Sequence, residues 1–140
     1  MPPGTVTIVV TREQVEAEIV AVAGRLRGVR PIDLPTFENR DGGYPFIRIE
    51  GDTLLYLAHE RGNEVLRRET NDLDELLWFV FHDVTSGLAQ QGGGRSWFRS
   101  DSRRRWFPRW IELMTELDPA WGARTRAYVD DVLARNPYMG

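Results

Sequence analysis

Few residues in this chain have side chains suited to catalysis or metal binding. The only histidines are His59 and His82, which are far apart in the sequence and lack the His-x-x-x-His spacing of a zinc site. The chain has no cysteine, which excludes thiol nucleophiles, disulfides and zinc–thiolate sites. None of its serines lies in a Gly-x-Ser-x-Gly elbow, and no P-loop or dinucleotide-binding glycine pattern occurs. We therefore expect no catalytic residue, no metal site and no cofactor.

Carboxylates are concentrated between residues 60 and 83. We call these seven residues the acidic rim: Glu60, Glu64, Glu69, Asp72, Asp74, Glu75 and Asp83. The same stretch holds three arginines, Arg61, Arg67 and Arg68. Of these, Arg67 and Arg68 are expected to pair with some of the acids. One interpretation is that the acids near the start of a helix stabilise that helix end, because the helix dipole attracts negative charge there. An acidic surface around Trp78 would equally suit a basic protein partner. A cryptic enzyme with a carboxylate pair near residues 69–74 is a further alternative.

A second charged segment, Arg95–Arg109, contains six arginines and one aspartate, with tryptophan and phenylalanine between them. Arginine for phosphates and aromatic rings for base stacking would suit single-stranded nucleic acid. The helical spacing of Trp106, Trp110 and Met114 favours a different interpretation, an amphipathic helix whose arginines stay in water. A nucleic-acid-binding module remains the alternative function. A uniformly basic binder is excluded, because the net charge of the whole chain is −3.

The length and composition are typical of one ordinary globular domain. The chain has 140 residues, of which 41% are hydrophobic and 28% charged. We expect a single domain over residues 1–140. No apolar run is long enough to span a bilayer, and the first residues do not resemble a secretory signal. These features predict a cytoplasmic location.

The first half of the sequence predicts one helix and a β-meander. Thr11 and Gln14 have the spacing of a capping box, which predicts a helix over about residues 12–27. A β-branched run, Val6–Val10, predicts a short strand before it. A long loop is expected over residues 29–43. Three antiparallel strands are then predicted at 44–50, 53–60 and 64–69, with turns at Gly51-Asp52 and Gly62-Asn63.

The second half predicts three helices. Asp72 caps a helix over about residues 73–90, and a flexible Arg/Gly-rich connector follows at 90–102. A third helix includes Trp106 to Leu117, with Pro108 near its start. Asp118-Pro119 predicts the start of a last helix, which is expected to bury Trp121, Thr125, Tyr128 and Val132. The resulting fold class is α+β, with helices packed on and around a three-stranded sheet.

Several segments resemble a known family. They are Leu34-Pro-Thr, Tyr44-Pro-Phe-Ile, Asp101-Ser-Arg-Arg-Arg, Leu117-Asp-Pro-Ala-Trp and, most specifically, Glu60-Arg-Gly followed by Arg68-Glu-Thr-Asn-Asp-Leu-Asp-Glu-Leu-Leu-Trp. Together they resemble the immunity protein 63 family of bacterial polymorphic-toxin systems. The resemblance extends from about Pro31 to Pro137.

The resemblance implies a non-enzymatic antitoxin. Such a protein binds a cognate toxin domain and blocks either its active site or its access to substrate. The expected partner is therefore a toxin protein rather than a nucleic acid or a membrane, and the oligomeric state stays open. The acidic rim, and not the resemblance, suits a toxin with a basic active site, by charge complementarity. The expected toxin-binding residues are Glu60, Arg61, Arg68, Glu69, Asp72, Asp74, Glu75, Trp78, Asp101 and Arg103.

Overall fold

The elements follow one another as a helix, three strands and three helices, which confirms the α+β fold class. The computed structural model describes residues 10–91 and 101–139. The elements are α1 (Arg12–Ala23), β1 (Pro45–Glu50), β2 (Thr53–Glu60), β3 (Asn63–Thr70), α2 (Leu73–Gln91), α3 (Arg103–Leu117) and α4 (Pro119–Arg135), with a short 3-10 turn at Pro31–Asp33. Most of the predicted strand Val6–Val10 and the middle of the predicted flexible connector lie outside the described residues.

The chain divides into two compact units. Among the described residues, the first unit comprises 10–23 and 30–80, and the second comprises 24–29, 81–91 and 101–139. Helix α2 begins in the first unit and ends in the second. The assignment of residues 1–140 to a single domain stays a prediction.

Helix α1 begins with the predicted capping box. The Thr11 hydroxyl accepts a hydrogen bond from the Gln14 amide at 3.1 Å, and the Thr11 amide donates to Gln14 Oε1 at 2.8 Å. This reciprocal pair satisfies two amides that a helix start leaves without partners. The helix ends at Ala23, about one turn earlier than predicted, because Gly24 is a poor helix residue.

The three strands form an antiparallel sheet in the order β1-β2-β3, joined by two-residue turns. Gly51 begins the first turn with a φ of +62°. The second turn is Arg61-Gly62, one residue earlier than predicted, and both residues have positive φ, +53° and +79°. Positive φ at both positions matches the right-handed twist of the flanking strands. Arg61 therefore holds a conformation that glycine or asparagine usually takes.

Strand β2 is the centre of the first unit. Its residues Leu54–Ala58 are all buried, so the strand is covered on both faces. Leu55 and Leu57 cluster with Phe46 of β1 on one side. On the other side, the Tyr56 ring stacks on the Phe79 ring of α2 at 6.4 Å between centroids.

The two outer strands of the sheet differ in whether another segment pairs with their outer side. On the β1 side, the Ile47 amide donates to the Thr36 carbonyl at 2.8 Å, so the loop before β1 pairs with its outer side. On the β3 side, no strand of the described residues pairs with β3 beyond β2. We call this outer side the β3 edge.

The second unit is built around α3 and α4. Asp118 caps α4 as predicted, with its Oδ1 accepting from the Ala120 amide at 2.8 Å. The indole Nε1 of Trp110 donates to the His82 carbonyl at 3.1 Å, and Trp121 stacks on Phe81 at 6.2 Å. Trp110 and Trp121 are both buried, so their rings anchor the two helices inside this unit.

The helices α3 and α4 approach most closely at Gly122. A Cβ added there would lie 2.8 Å from the Thr115 Cα and closer still to the Thr115 side chain. A glycine is therefore required at position 122 because only a residue without a Cβ lets α4 come this close to α3, and not because the backbone turns there. The predicted burial of Tyr128 is wrong, since its side chain is 46% exposed and Val129 is buried instead. Val132, predicted to be buried, is only partly so.

Candidate protein-binding site

The acidic rim lies mostly on the surface. All of its members are exposed except Glu75, which is half-buried. Asp83 belongs to the second unit, and the other six belong to the first. Two of these six, Glu64 and Glu69, lie on β3, while the others lie close to its ends: Glu60 at the end of β2, Asp72 in the turn after β3, and Asp74 and Glu75 in the first turn of α2. The acidic surface of the first unit is therefore arranged along and around β3.

The turn before β3 is held in place by a residue that sequence analysis missed. Both carboxylate oxygens of Asp41 accept hydrogen bonds from the turn, from the Arg61 amide at 3.2 Å and the Gly62 amide at 3.3 Å. Asn39 Oδ1 in turn accepts from the Asp41 amide at 2.8 Å. These bonds fix the backbone that presents Glu60 and Arg61. No local pattern marks Asp41, because it lies 20 residues before Arg61 in the sequence.

His59 sits beside this turn and has a structural environment. One ring nitrogen, Nδ1, lies 3.1 Å from the Asn39 side-chain nitrogen. The ring also makes an edge contact with Phe46, at 5.2 Å between centroids. These contacts account for a histidine at the end of β2 without a catalytic or metal-binding role.

The arginines of β3 are held in two different ways. Arg67 bridges two rim acids, with Nη1 3.1 Å from Glu64 Oε1 and Nη2 2.8 Å from Glu69 Oε1. The hydrogen bonds to Glu64 and Glu69 raise the pKa of Arg67 above its ordinary value. The Arg68 guanidinium lies over the Phe79 ring, 5.5 Å from its centroid. The expected pairing with rim acids is therefore confirmed for Arg67, whereas Arg68 makes a cation–π contact.

The turn after β3 combines a cap with an outward-facing carboxylate. Asp72 Oδ1 accepts from the Asp74 amide at 3.0 Å, and the Thr70 hydroxyl accepts from the Asp72 amide at 3.1 Å. Asp72 is thus the N-cap of α2, as its sequence position predicts. Asp74 lies in the first turn of α2 and is exposed. Trp78 is only 4% exposed, so its ring contributes to packing rather than to the surface.

A groove lies next to this turn in the first unit. It has a volume of about 460 Å³ and runs between α1 and the start of α2. Its apolar lining comes from Val10, Ala17 and Leu73, and its carboxylates come from Glu18 and Asp72. The groove places apolar surface beside two carboxylates, of which Asp72 belongs to the rim. This combination suits the aliphatic stem and charged head of a lysine or arginine.

Two of the expected toxin-binding residues, Asp101 and Arg103, lie in the second unit and bind the end of the chain. The Asp101 carboxylate accepts from Arg103 Nη2 at 2.5 Å, from Arg103 Nε at 3.0 Å and from the Met139 amide at 3.2 Å. Arg103 also donates to the carbonyls of Asn136 at 2.9 Å and Pro137 at 3.0 Å. We call this arrangement of Asp101, Arg103 and residues 136–139 the tail clasp.

The tail clasp makes stability depend on pH in a specific direction. Hydrogen bonds from Arg103 hold the pKa of the Asp101 carboxyl well below its ordinary value in the folded protein. A carboxyl whose pKa is lowered by folding stabilises the fold above its unfolded pKa and loses that effect as pH falls. Asp101→Asn should therefore lower the melting temperature at neutral pH, and the difference from wild type should shrink below about pH 4.

Thermal unfolding of wild type and Asp101→Asn, followed from about pH 7 down to about pH 2.5, checks this expectation. Arg135→Gln is a suitable comparison, because its ion pair with Asp131 is largely exposed and should contribute little. A melting-temperature difference for Asp101→Asn that stays constant over the whole pH range would contradict the role of the ionised carboxylate.

The described part of the Arg-rich segment has the character of an amphipathic helix. Phe107, Trp110 and Met114 are buried along α3, while Arg105 and Arg109 are exposed. Residues 95–100 of the segment lie outside the described residues. Within residues 103–109, the Phe107 ring is buried and the Trp106 ring is half-buried, and the packing agrees with the amphipathic-helix interpretation.

Neither a metal-binding cluster nor a membrane-spanning helix is found among the described residues. No group of three or more His, Asp or Glu side chains in residues 10–91 and 101–139 is arranged to hold a metal ion. No helix in the same ranges has the length and apolar character needed to cross a membrane.

Comparison with known proteins identifies the family. The family model of immunity protein 63 matches residues 51–131, which is more than half of the chain. The matched region includes β2, β3, α2, α3 and most of α4, together with the whole acidic rim. No curated protein and no solved structure matches the chain. The chain belongs to the immunity protein 63 family.

Proposed function

We propose that this protein is an antitoxin that neutralises a cognate secreted polymorphic-toxin domain by direct, stoichiometric binding. The observation that carries the proposal is the match to the immunity protein 63 family over residues 51–131. Immunity proteins generally act by binding rather than by catalysis, so the expected activity is inhibition without turnover. The encounter takes place in the cytoplasm of the cell to be protected.

The acidic rim supports a basic partner. Exposed carboxylates at both ends of β3 create a negative surface, which attracts a positively charged toxin and speeds the first encounter. We propose that Glu60, Arg61, Arg68, Glu69 and Asp74 contact the toxin directly. Their positions on strand, turn and helix backbones keep this surface ordered before binding, which limits the entropy lost on association.

The other expected site residues have structural roles within their own units. Asp72 holds the start of α2 as its cap, and Trp78 packs beneath the surface of the first unit. Glu75 is half-buried in the same turn of α2. Asp101 and Arg103 form the tail clasp, so we assign them a role in stability rather than in toxin contact. A toxin that handles nucleic acid has the basic active site that this arrangement would complement.

Co-expression with a toxin tests the proposal. The partner is the C-terminal domain of the long secreted protein that we expect the neighbouring gene to encode. We expect cells producing both proteins to survive, cells producing the toxin domain alone to die, and the two proteins to co-purify in a 1:1 ratio. Continued killing, with folded antitoxin present and no complex recovered, would show that the proposal is wrong for this pair.

A further inference from the structure

The β3 edge is an exposed and extended strand edge. Strand β3 runs from Asn63 to Thr70, and six of its eight residues are exposed. An edge of this length offers a row of backbone donors and acceptors to any incoming strand. A register shift between Ala58 and His59 of β2 interrupts the pairing near the start of β3, so the regular part of the edge runs from Leu66 to Thr70. No other strand of the described residues pairs with this part, which leaves it available to an incoming strand.

One hydrogen bond shows towards which neighbouring strand each residue of the sheet points its backbone amide and carbonyl groups. The Ile47 amide donates to Thr36, on the side of β1 away from β2. In an antiparallel ladder, two residues that lie opposite each other either both point their amide and carbonyl groups towards each other or both point them away from each other. Because Ile47 points away from β2, the residue opposite it points away from β1. Ile47 is opposite Tyr56, so the Tyr56 amide and carbonyl point towards β3.

The same alternation identifies the open groups of β3. Tyr56 is opposite Arg68, which therefore directs its amide and carbonyl towards β2. The neighbours Arg67 and Glu69 must then direct theirs outward, to the β3 edge. These two residues present the backbone groups that a fourth strand would use.

The side chains of β3 leave these backbone groups accessible. Side chains stand roughly perpendicular to a sheet, so they flank the edge rather than cover it. Arg67 is also held by Glu64 and Glu69 in ion pairs 3.1 Å and 2.8 Å long. The guanidinium therefore has partners of its own and does not need to fold over the edge.

The charges around β3 select the kind of strand that fits. Glu60 ends β2, just before the turn into β3, and Glu64 lies at the start of β3. Asp72 and Asp74 lie just after the end of β3. If a second copy of the chain paired its β3 antiparallel to this one, the acids at the start of each β3 would face the acids at the end of the other. If the second copy paired its β3 in parallel, the acidic start of one β3 would face the acidic start of the other, and the acidic ends would also face each other. Charge therefore disfavours self-pairing and favours a strand with lysine or arginine at both ends.

We propose that the β3 edge binds an extended segment of the toxin as a fourth strand of the sheet. The backbone of Arg67 and Glu69 supplies the hydrogen bonds, and basic residues at both ends of the toxin segment pair with the acids that flank β3. This mode is β-strand addition, in which backbone pairing supplies affinity and side chains supply specificity. The inference rests on the proposed antitoxin function and names its docking surface.

Amide hydrogen exchange tests the inference on the unmodified protein. The probe is an inactivated toxin C-terminal domain from the neighbouring gene, added to isotope-labelled antitoxin and followed by NMR. In the free protein, the Arg67 and Glu69 amides should exchange rapidly, whereas the Arg68 and Thr70 amides should be protected by β2. In the complex, exchange at Arg67 and Glu69 should slow by about 100-fold or more, since new backbone hydrogen bonds form there.

Each other outcome overturns the inference in a recognisable way. If the complex forms and protects cells but Arg67 and Glu69 exchange as before, strand addition is wrong and the antitoxin function stands. If both amides are already protected in the free protein, the edge is occupied by residues 1–9 or by a second copy, which the molar mass in solution distinguishes. If no complex forms, the proposed function and the inference fail together.

A pair of variants at position 67 distinguishes the contribution of the backbone to toxin binding from that of the side chain. Arg67→Ala and Arg67→Pro both remove the guanidinium, but only proline removes the outward amide. Proline is tolerated on edge strands, so the fold should survive, and a thermal unfolding transition verifies that it does. We expect Arg67→Pro to bind the toxin domain at least about tenfold more weakly than Arg67→Ala. Equal affinities of the two folded variants would contradict strand addition.

Discussion

Gly122→Ala should lower the free energy of unfolding by about 1–3 kcal/mol, the range typical of overpacking a close contact. The new methyl carbon would lie 2.7 Å from the Thr115 Cβ and 2.8 Å from its Cα. Because one of these atoms belongs to the backbone of α3, a side-chain rotation cannot relieve the overlap. The loss should occur even though alanine is the better helix former by about 1 kcal/mol.

Gly87 provides the matched control, since it also lies in a helix. A Cβ added at Gly87 would meet no atom within 4 Å. Gly87→Ala should therefore raise the free energy of unfolding by about 0.5–1 kcal/mol. Urea unfolding of the two variants and wild type measures both changes. Stabilisation by both substitutions would mean that α3 and α4 are further apart at Gly122 than the structure places them.

Neutralising two acids of the rim should slow association with the toxin. Glu60→Gln and Asp74→Asn remove one exposed charge at each end of β3, and neither side chain caps a helix. Rim charges act mainly on the association rate, so we expect the double variant to associate about tenfold more slowly at low ionic strength. The dissociation rate should change much less.

The salt dependence provides the control for this measurement. At about 1 M salt the Debye length falls to about 3 Å, so the double variant and wild type should associate at similar rates. Glu112→Gln with Glu116→Gln removes the same total charge from exposed positions on α3 and should alter the rate less. Equal rates for all three proteins at every salt concentration would show that the toxin interface does not use the rim charges.

Local signals in the sequence were enough to predict most of the elements. The capping residues Thr11, Asp72 and Asp118 act on amides within three residues, so their spacing alone identifies three helix starts. The three strands and their antiparallel order also follow from short turns. The second turn lies one residue earlier than the Gly62-Asn63 signal predicts, because Arg61 takes a positive φ that arginine rarely adopts.

The features that were missed depend on distant parts of the chain. Asp41 bonds to a turn 20 residues later, and Asp101 bonds to Met139, 38 residues later. No spacing rule connects such pairs, so the anchoring of the turn and the tail clasp were not predictable. Trp78 shows a different limit. Its side of α2 is apolar, and apolar character alone does not distinguish a ring that packs inside from one that faces a partner.

The two-residue turns of the sheet also affect how quickly it can fold. Because each strand pairs with its neighbour in the sequence, no paired residues are further apart along the chain than Leu54 and Thr70. Loops this short cost little entropy to close, and hairpins of this kind form in about 1–10 μs. The strand with the open edge can therefore form early, from local contacts, whereas the tail clasp requires a contact across 38 residues.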